Sequence, residues 1–172
     1  ISYNDLKICF DIDKWVVKEN LYDLIVSNLY LHLSDNFEAL LKNIYYSLNK
    51  NGFFIATIPG RNSFHELKNS MIEADINMYD GSYKRFMQLY STDSINSFLK
   101  KNNFMTPIID IDNLVFYYKN LSDLLKDIRF LGNSYFFNDR KKTFEKKLYF
   151  KQVEEIYMKK YSNNQKLVMQ IQ

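Results

Sequence analysis

The sequence predicts an α/β domain with a mostly parallel sheet and an antiparallel strand pair toward its C-terminal end. Three runs of residues carry that expectation. In Tyr22-Asp23-Leu24-Ile25-Val26-Ser27-Asn28-Leu29-Tyr30-Leu31-His32 an acid enters a short apolar run that stops at Ser-Asn. A buried parallel strand ends this way at the ligand edge of an open sheet. Earlier in the chain, Leu6-Lys7-Ile8-Cys9-Phe10 reads as a second short strand, ending at Asp11. Gly52-Phe53-Phe54-Ile55-Ala56-Thr57-Ile58 is almost continuously apolar, as a central strand is, and Pro59-Gly60 closes it.

The remaining elements follow in order. Asp11 through Asn20 is a polar loop. Between the run that stops at Ser27-Asn28 and the run from Gly52 to Ile58, Phe37, Leu40, Leu41, Ile44 and Leu48 recur at helical spacing. Ser34 or Asp35 is expected to cap that helix, and Lys50-Asn51-Gly52 to stop it, with Gly52 in a left-handed position. Strand, helix and strand with short connections form a βαβ unit.

A further helix begins near Ser63. Residues 75–90 lack a clean period and read as an excursion over the sheet edge. Ser91-Thr92-Asp93-Ser94 starts the next helix. Residues 104–111 read as a strand with an irregular entry at Pro107, expected to pair antiparallel with a last strand at 166–171. Leu114 to Tyr118 is extended, 121–131 helical, 133–143 a loop, and 144–161 a long amphipathic helix. No repeat or linker interrupts the chain, so residues 1–172 read as one domain.

At 172 residues, with 47% hydrophobic and 25% charged residues, the chain is long enough to bury a core. The net charge of +3 neither requires nor excludes an acidic partner. One cysteine, Cys9, rules out an internal disulfide framework, and two isolated histidines give metal binding little support. No apolar run approaches the roughly 18 residues that span a bilayer. The chain starts at Ile1 with residues that read as mid-domain sequence, so an N-terminal portion is expected to precede it.

Four positions could carry chemistry. The Asp11 carboxylate can accept from an exocyclic amine such as adenine N6, and the Ile12 N–H can donate to a ring nitrogen; the bland alternative is a solvated loop acid. Backbone carbonyls at Asn28-Leu29 could hold an ammonium group, or the pair is an ordinary turn. His32 is either a base or ligand contact, or a packing residue. His65, beside Glu66, lacks the second histidine of a zinc-protease signature and reads as surface. The basic cluster Arg140-Lys141-Lys142 and Lys146-Lys147 fits a solvated helix start better than a nucleic-acid contact.

The Tyr22–His32 stretch and the order of elements resemble the class I S-adenosylmethionine-dependent methyltransferases, a Rossmann-like fold in which the strand bearing the acid and Ser-Asn is the fourth. Leu48-Asn49-Lys50-Asn51-Gly52-Phe53-Phe54-Ile55 looks like that family's entry to the fifth strand. Downstream, Gly60-Arg61-Asn62-Ser63-Phe64-His65-Glu66-Leu67, Asp110-Ile111-Asp112, Leu131-Gly132-Asn133-Ser134 and Asn138-Asp139-Arg140-Lys141 resemble one subgroup. It comprises the mitochondrial complex I assembly factors and their alphaproteobacterial relatives. The biotin-pathway enzymes that methylate a malonyl carrier protein are similar more distantly.

The resemblance implies S-adenosylmethionine as cofactor, with Asp11, Ile12, Asn28 and Leu29 on its side and His32, Arg61, Tyr83 and Arg140 on the substrate side. It implies a carboxylate or protein-borne methyl acceptor, an acyl carrier protein among the partners, and no nucleic acid. The compartment would be the cytoplasm of a bacterium or the mitochondrial matrix of a eukaryote. Two departures stand out. The family's glycine-rich loop and ribose-binding acid would lie upstream of Ile1, and Leu33 stands where the subgroup often has Trp. Arginine hydroxylation of a complex I subunit, or a catalytically silent assembly role, are the alternatives.

Overall fold

The computed structural model describes residues 14, 15, 17–130 and 145–172. These form two compact units. The first takes its described residues from 14–58 and 93–108, the second from 59–92 and 109–172. The expected strand at 6–10, the loop at 133–143, and the candidates Asp11, Ile12 and Arg140 lie outside the described residues.

In the first unit, β1 (Tyr22–Asn28) and β2 (Leu48–Thr57) pair in parallel. Their register runs from Leu24 opposite Phe53 to Asn28 opposite Thr57. Helix α1 (Phe37–Ser47) connects them, after a 3-10 turn at Leu31–Leu33. It buries Phe37, Leu40, Leu41 and Ile44, the face expected from the spacing. Burial of each such side chain contributes about 1.5–3 kcal/mol. Behind the strands, Phe104 packs on Tyr45 and Phe54 with ring centroids 5.4 and 5.7 Å apart. Phe98 of α3 (Thr92–Lys101) meets Phe37 at 5.8 Å. On the opposite face, Leu24, Val26, Phe53 and Ile55 are each more than half exposed.

Two local expectations change. The α1 cap is Asn36, whose Oδ1 accepts from the Ala39 N–H at 3.0 Å, while Ser34 accepts from the Asn36 N–H. A helix cap needs its acceptor directly ahead of the first turn, and Asn36 is the polar residue standing there. The left-handed residue is Asn51 (φ 68°) rather than Gly52. Gly52 is constrained by space instead, since a Cβ there would lie 3.0 Å from the Asn49 carbonyl oxygen and 3.1 Å from that of Tyr22.

The second unit packs α2 (His65–Tyr79), α4 (Leu121–Phe130) and α5 (Lys147–Tyr161) with a three-stranded antiparallel sheet. Its strands are β3 (Leu114–Tyr118), β4 (Ser162–Asn163) and β5 (Lys166–Ile171), in the order β3-β5-β4. The core combines Leu67, Met71 and Ala74 with Leu124, Val153 and Leu167. Tyr149 and Tyr157 are wholly buried, and their hydroxyls donate to the carbonyls of Met71 (3.2 Å) and Val168 (2.7 Å). A buried phenol needs such a partner.

The antiparallel partner of β5 is thus β3, and no strand forms at 104–111. Asn103 (φ 65°) and Thr106 (φ 39°) turn the backbone out of the extended region, and Pro107 has no N–H to give a ladder. The excursion is also shorter than expected. Helix α2 continues to Tyr79, where Asp80 in left-handed backbone closes it through its N–H on the Ile76 carbonyl. The periodicity misleads because α2 turns Glu66, Ser70 and Asp75 into the core.

Asp75 accounts for one of those buried polar groups. It is fully buried and accepts from Arg85 Nε at 2.8 Å and again from the guanidinium Nη2. Arg85 Nη2 also reaches Glu145 at 2.6 Å, and the guanidinium lies 4.5 Å from the centre of the Tyr149 ring. Burial alone would lower the Arg85 pKa, but the hydrogen bonds to Asp75 and Glu145 outweigh it and raise it.

Two stability predictions follow from this packing. Arg85→Met leaves two carboxylates facing each other without a cation, and should cost about 3–5 kcal/mol at neutral pH. Asp75→Asn should cost less, because Arg85 keeps Glu145. Urea midpoints of the two variants check both; an Arg85→Met deficit no larger than that of Asp75→Asn would contradict the charge account.

The second prediction concerns alkali. Burial, then a hydrogen bond to Asp127, pushes the Tyr118 phenol up to about 12, and burial raises Tyr149 and Tyr157 further. Unfolded tyrosine ionises near pH ~10. Folding therefore favours the protonated phenols. That stability is intact below pH ~10 and is lost as pH climbs through about 12. Circular dichroism and tyrosinate absorbance should change together over that window; tyrosinate forming in an intact fold would contradict it.

Candidate functional site

Parallel strands leave a sheet at the same end, so β1 and β2 deliver Asn28 and Thr57 side by side. The Thr57 hydroxyl donates to Asn28 Oδ1 at 2.5 Å. The Leu29 N–H donates to the Thr57 carbonyl at 2.9 Å and lies 3.2 Å from its Oγ1. Leu29 itself has φ 49°, in the left-handed region. That conformation costs a residue with a Cβ about 1–2 kcal/mol. Strain of this kind concentrates where a chain must aim backbone groups at a ligand. Among the described residues no backbone N–H donates to the Leu29 carbonyl. A strand end that presents backbone carbonyls beside a side-chain amide suits the ammonium and carboxylate of an amino-acid moiety.

His32 sits in the turn that follows and is buried, 5% exposed. It shares the turn Leu31–Leu33 with buried Leu31, ahead of α1 in the chain. Arg61 is in the second unit, exposed in the turn at 61–64. The ends of that turn are tied to β5 and the residue after it: the Gly60 N–H donates to the Gln172 carbonyl (2.7 Å) and the Phe64 N–H to the Gln170 carbonyl (2.9 Å). Phe64 is left-handed at φ 61°. Glu66, 2% exposed, accepts from the Gln170 N–H, and His65 Nδ1 lies 3.1 Å from the Asn62 carbonyl.

Tyr83 also belongs to the second unit. Its N–H donates to Asp75 (3.2 Å), and its ring lies 5.7 Å from that of Tyr79 and 5.6 Å from the Arg85 guanidinium. Of the eight candidate residues, then, the structure joins Asn28 and Leu29 at one strand end, while Arg61 and Tyr83 stand at separate places in the second unit.

Thr57 escaped the sequence reading, which took it as one more strand residue. Its signal was present: a hydroxyl residue closing an apolar run just before Ile58-Pro59-Gly60. The Asp75–Arg85 pair left no such trace, because a helix end separates its members. No described helix is long and apolar enough to cross a membrane.

Comparison with known proteins bears on this strand end. A methyltransferase-domain family model matches residues 2–106. The human mitochondrial arginine-hydroxylase NDUFAF5 is 28% identical over 117 residues, covering 68% of this chain and 34% of the relative. RP459 of Rickettsia prowazekii is 26% identical over 128 residues (74% of this chain, 57% of the relative). The malonyl-[acyl-carrier protein] O-methyltransferase of Legionella pneumophila is 25% identical over 122 residues (71% and 41%). The chain spans only 27% of the Dictyostelium discoideum NDUFAF5. Among solved structures, the YcgJ protein of Bacillus subtilis superposes with a TM-score of 0.55 at 10% identity, over 93% of this chain and 64% of that one. The likeness to the solved structure shows a Rossmann-like fold, and from its match over residues 2–106 the chain belongs to the methyltransferase-domain family.

Proposed function

We propose that the protein binds S-adenosylmethionine at the carboxyl ends of its parallel strands and transfers the methyl group to a carboxylate or protein-borne acceptor. The observation that carries this reading is the shared exit of β1 and β2 at Asn28 and Thr57, with Leu29 held left-handed beside them. Asn28 and Leu29 would hold the methionine portion. Asp11 would accept from the adenine amine, and the Ile12 N–H would donate to the ring. The bound cofactor supplies an electrophilic methyl group on a sulfonium.

An anionic acceptor needs no proton removed, so the chain's task is to bring it close and in line. That agrees with a strand end that offers hydrogen-bonding groups from Asn28, Leu29 and Thr57 among the described residues. Arg61, exposed after β2, offers a cation for a carboxylate; His32, Tyr83 and Arg140 are the other acceptor-side candidates. A protein or acyl carrier partner is in keeping with the Legionella relative's name. The protein would work in the cytoplasm of a bacterium or the mitochondrial matrix of a eukaryote. The NDUFAF5 relatives favour a second reading, hydroxylation of an arginine. Mass spectrometry of the modified partner separates the two, as a gain of one CH2 against one oxygen.

Calorimetric titration of the full-length protein with S-adenosylmethionine tests the cofactor assignment. Asp11→Ala should weaken binding by about 1–3 kcal/mol, since a charged acceptor is lost. That is roughly 5- to 150-fold in Kd. Asp13→Ala, two residues on, should change little. Equal affinities for the two variants would remove Asp11 from the site.

A further inference from the structure

We propose that Thr57 is a positioning residue for Asn28, turning its side-chain amide so that Nδ2 donates to the carboxylate of the cofactor's methionine portion. This rests on the cofactor reading above and assigns a contact that reading leaves open.

The argument starts from what each atom can do. A threonine hydroxyl has one hydrogen to give and two lone pairs that accept. The Leu29 N–H donates to the Thr57 carbonyl at 2.9 Å and also lies 3.2 Å from Thr57 Oγ1. That N–H occupies the accepting side of the hydroxyl, so its single hydrogen goes to Asn28. The separation from Asn28 agrees. At 2.5 Å it falls within the range of O–H···O bonds, about 2.5–3.0 Å, and below that of N–H···O bonds, about 2.7–3.2 Å. The Asn28 amide therefore turns its oxygen toward Thr57 and its nitrogen away.

This orientation selects between the two charged groups of an amino-acid moiety. Among the described residues nothing accepts from Asn28 Nδ2, and Asn28 is exposed. An ammonium only donates, and a carboxylate only accepts. The two Nδ2 hydrogens suit the carboxylate, and the ammonium is left to backbone carbonyls. The run from the Leu29 N–H through the Thr57 hydroxyl to the Asn28 oxygen also polarises the amide, which strengthens Nδ2 as a donor. Strand register places Asn28 opposite Thr57, so the donor is aimed before a ligand arrives, which lowers the ordering cost of binding. Without the hydroxyl, an exposed asparagine can turn over and present its oxygen to the carboxylate instead. A methyl-accepting carboxylate shares this chemistry; cofactor binding measured with no acceptor present separates the two sources.

Calorimetric titration of the full-length protein, with no acceptor present, tests the assignment. Thr57→Val keeps the β-branched shape and removes the hydroxyl, and should weaken S-adenosylmethionine binding about fivefold. Thr57→Ser should retain wild-type affinity. Asn28→Ala should weaken binding about tenfold, and adding Thr57→Val to it should cost nothing further, since the pair acts as one unit. Decarboxylated S-adenosylmethionine, which lacks the accepting group, should bind the wild type and Thr57→Val alike, whereas a merely structural role for Thr57 would weaken both cofactors. Unchanged S-adenosylmethionine affinity in Thr57→Val, the same loss in Thr57→Ser, or an equal loss with the decarboxylated cofactor would overturn the inference and leave the cofactor assignment standing. A wild-type protein that binds no S-adenosylmethionine would overturn both.

Discussion

Parallel pairing of Tyr22–Asn28 with Leu48–Thr57 constrains everything around the candidate site. Two parallel neighbours cannot be joined by a tight turn, so a helix must carry the chain back. Helix α1 does so, and its face of Phe37, Leu40, Leu41 and Ile44 supplies the buried surface that makes the return favourable. The same pairing forces both strands to exit at one end. Asn28 and Thr57 meet there, the Thr57 hydroxyl binds the Asn28 amide oxygen, and Leu29 is bent into left-handed backbone by the hydrogen bond from its N–H to Thr57.

The second unit solves a different problem. Helix α2 places three polar side chains, Glu66, Ser70 and Asp75, among its buried residues. Each is satisfied locally. Ser70 donates back to the Glu66 carbonyl, Glu66 accepts from the Gln170 N–H, and Asp75 takes Arg85. An unpartnered buried acid would cost several kcal/mol, so these contacts are conditions for α2 to pack at all. They also fasten distant parts of the chain: Gln170 on β5 and the loop carrying Tyr83 both end on acids of α2.

Much of the first unit was legible in the sequence because its signals are simple. A continuous apolar run gives β2, a spaced apolar face gives α1, and an acid followed by Leu-Ile-Val gives β1. The misreadings share a cause. Residues 104–111 look like a strand by composition, yet Asn103, Thr106 and Pro107 set the local backbone against it, and backbone angles of non-glycine residues are not written in apolar pattern. The end of α2 was obscured because polar residues face its core. The β4–β5 hairpin went unnoticed for a similar reason: Asn164 (φ 48°) and Gln165 (φ 59°) form its turn without the glycine that usually announces one. Of the candidate site, Asn28 and Leu29 could be read from a strand that stops at a polar residue. Thr57 required knowing the register, and the Asp75–Arg85 pair required knowing where a helix ends.

The central claim is that the cofactor lies where β1 and β2 exit together. Amide chemical-shift mapping of the full-length protein with S-adenosylmethionine tests it most directly. The account predicts the largest shifts at Asn28, Leu29 and Thr57, with the second unit's core at Leu124 and Val153 unmoved. Largest shifts in that core, with Asn28, Leu29 and Thr57 unchanged at saturating cofactor, would contradict it.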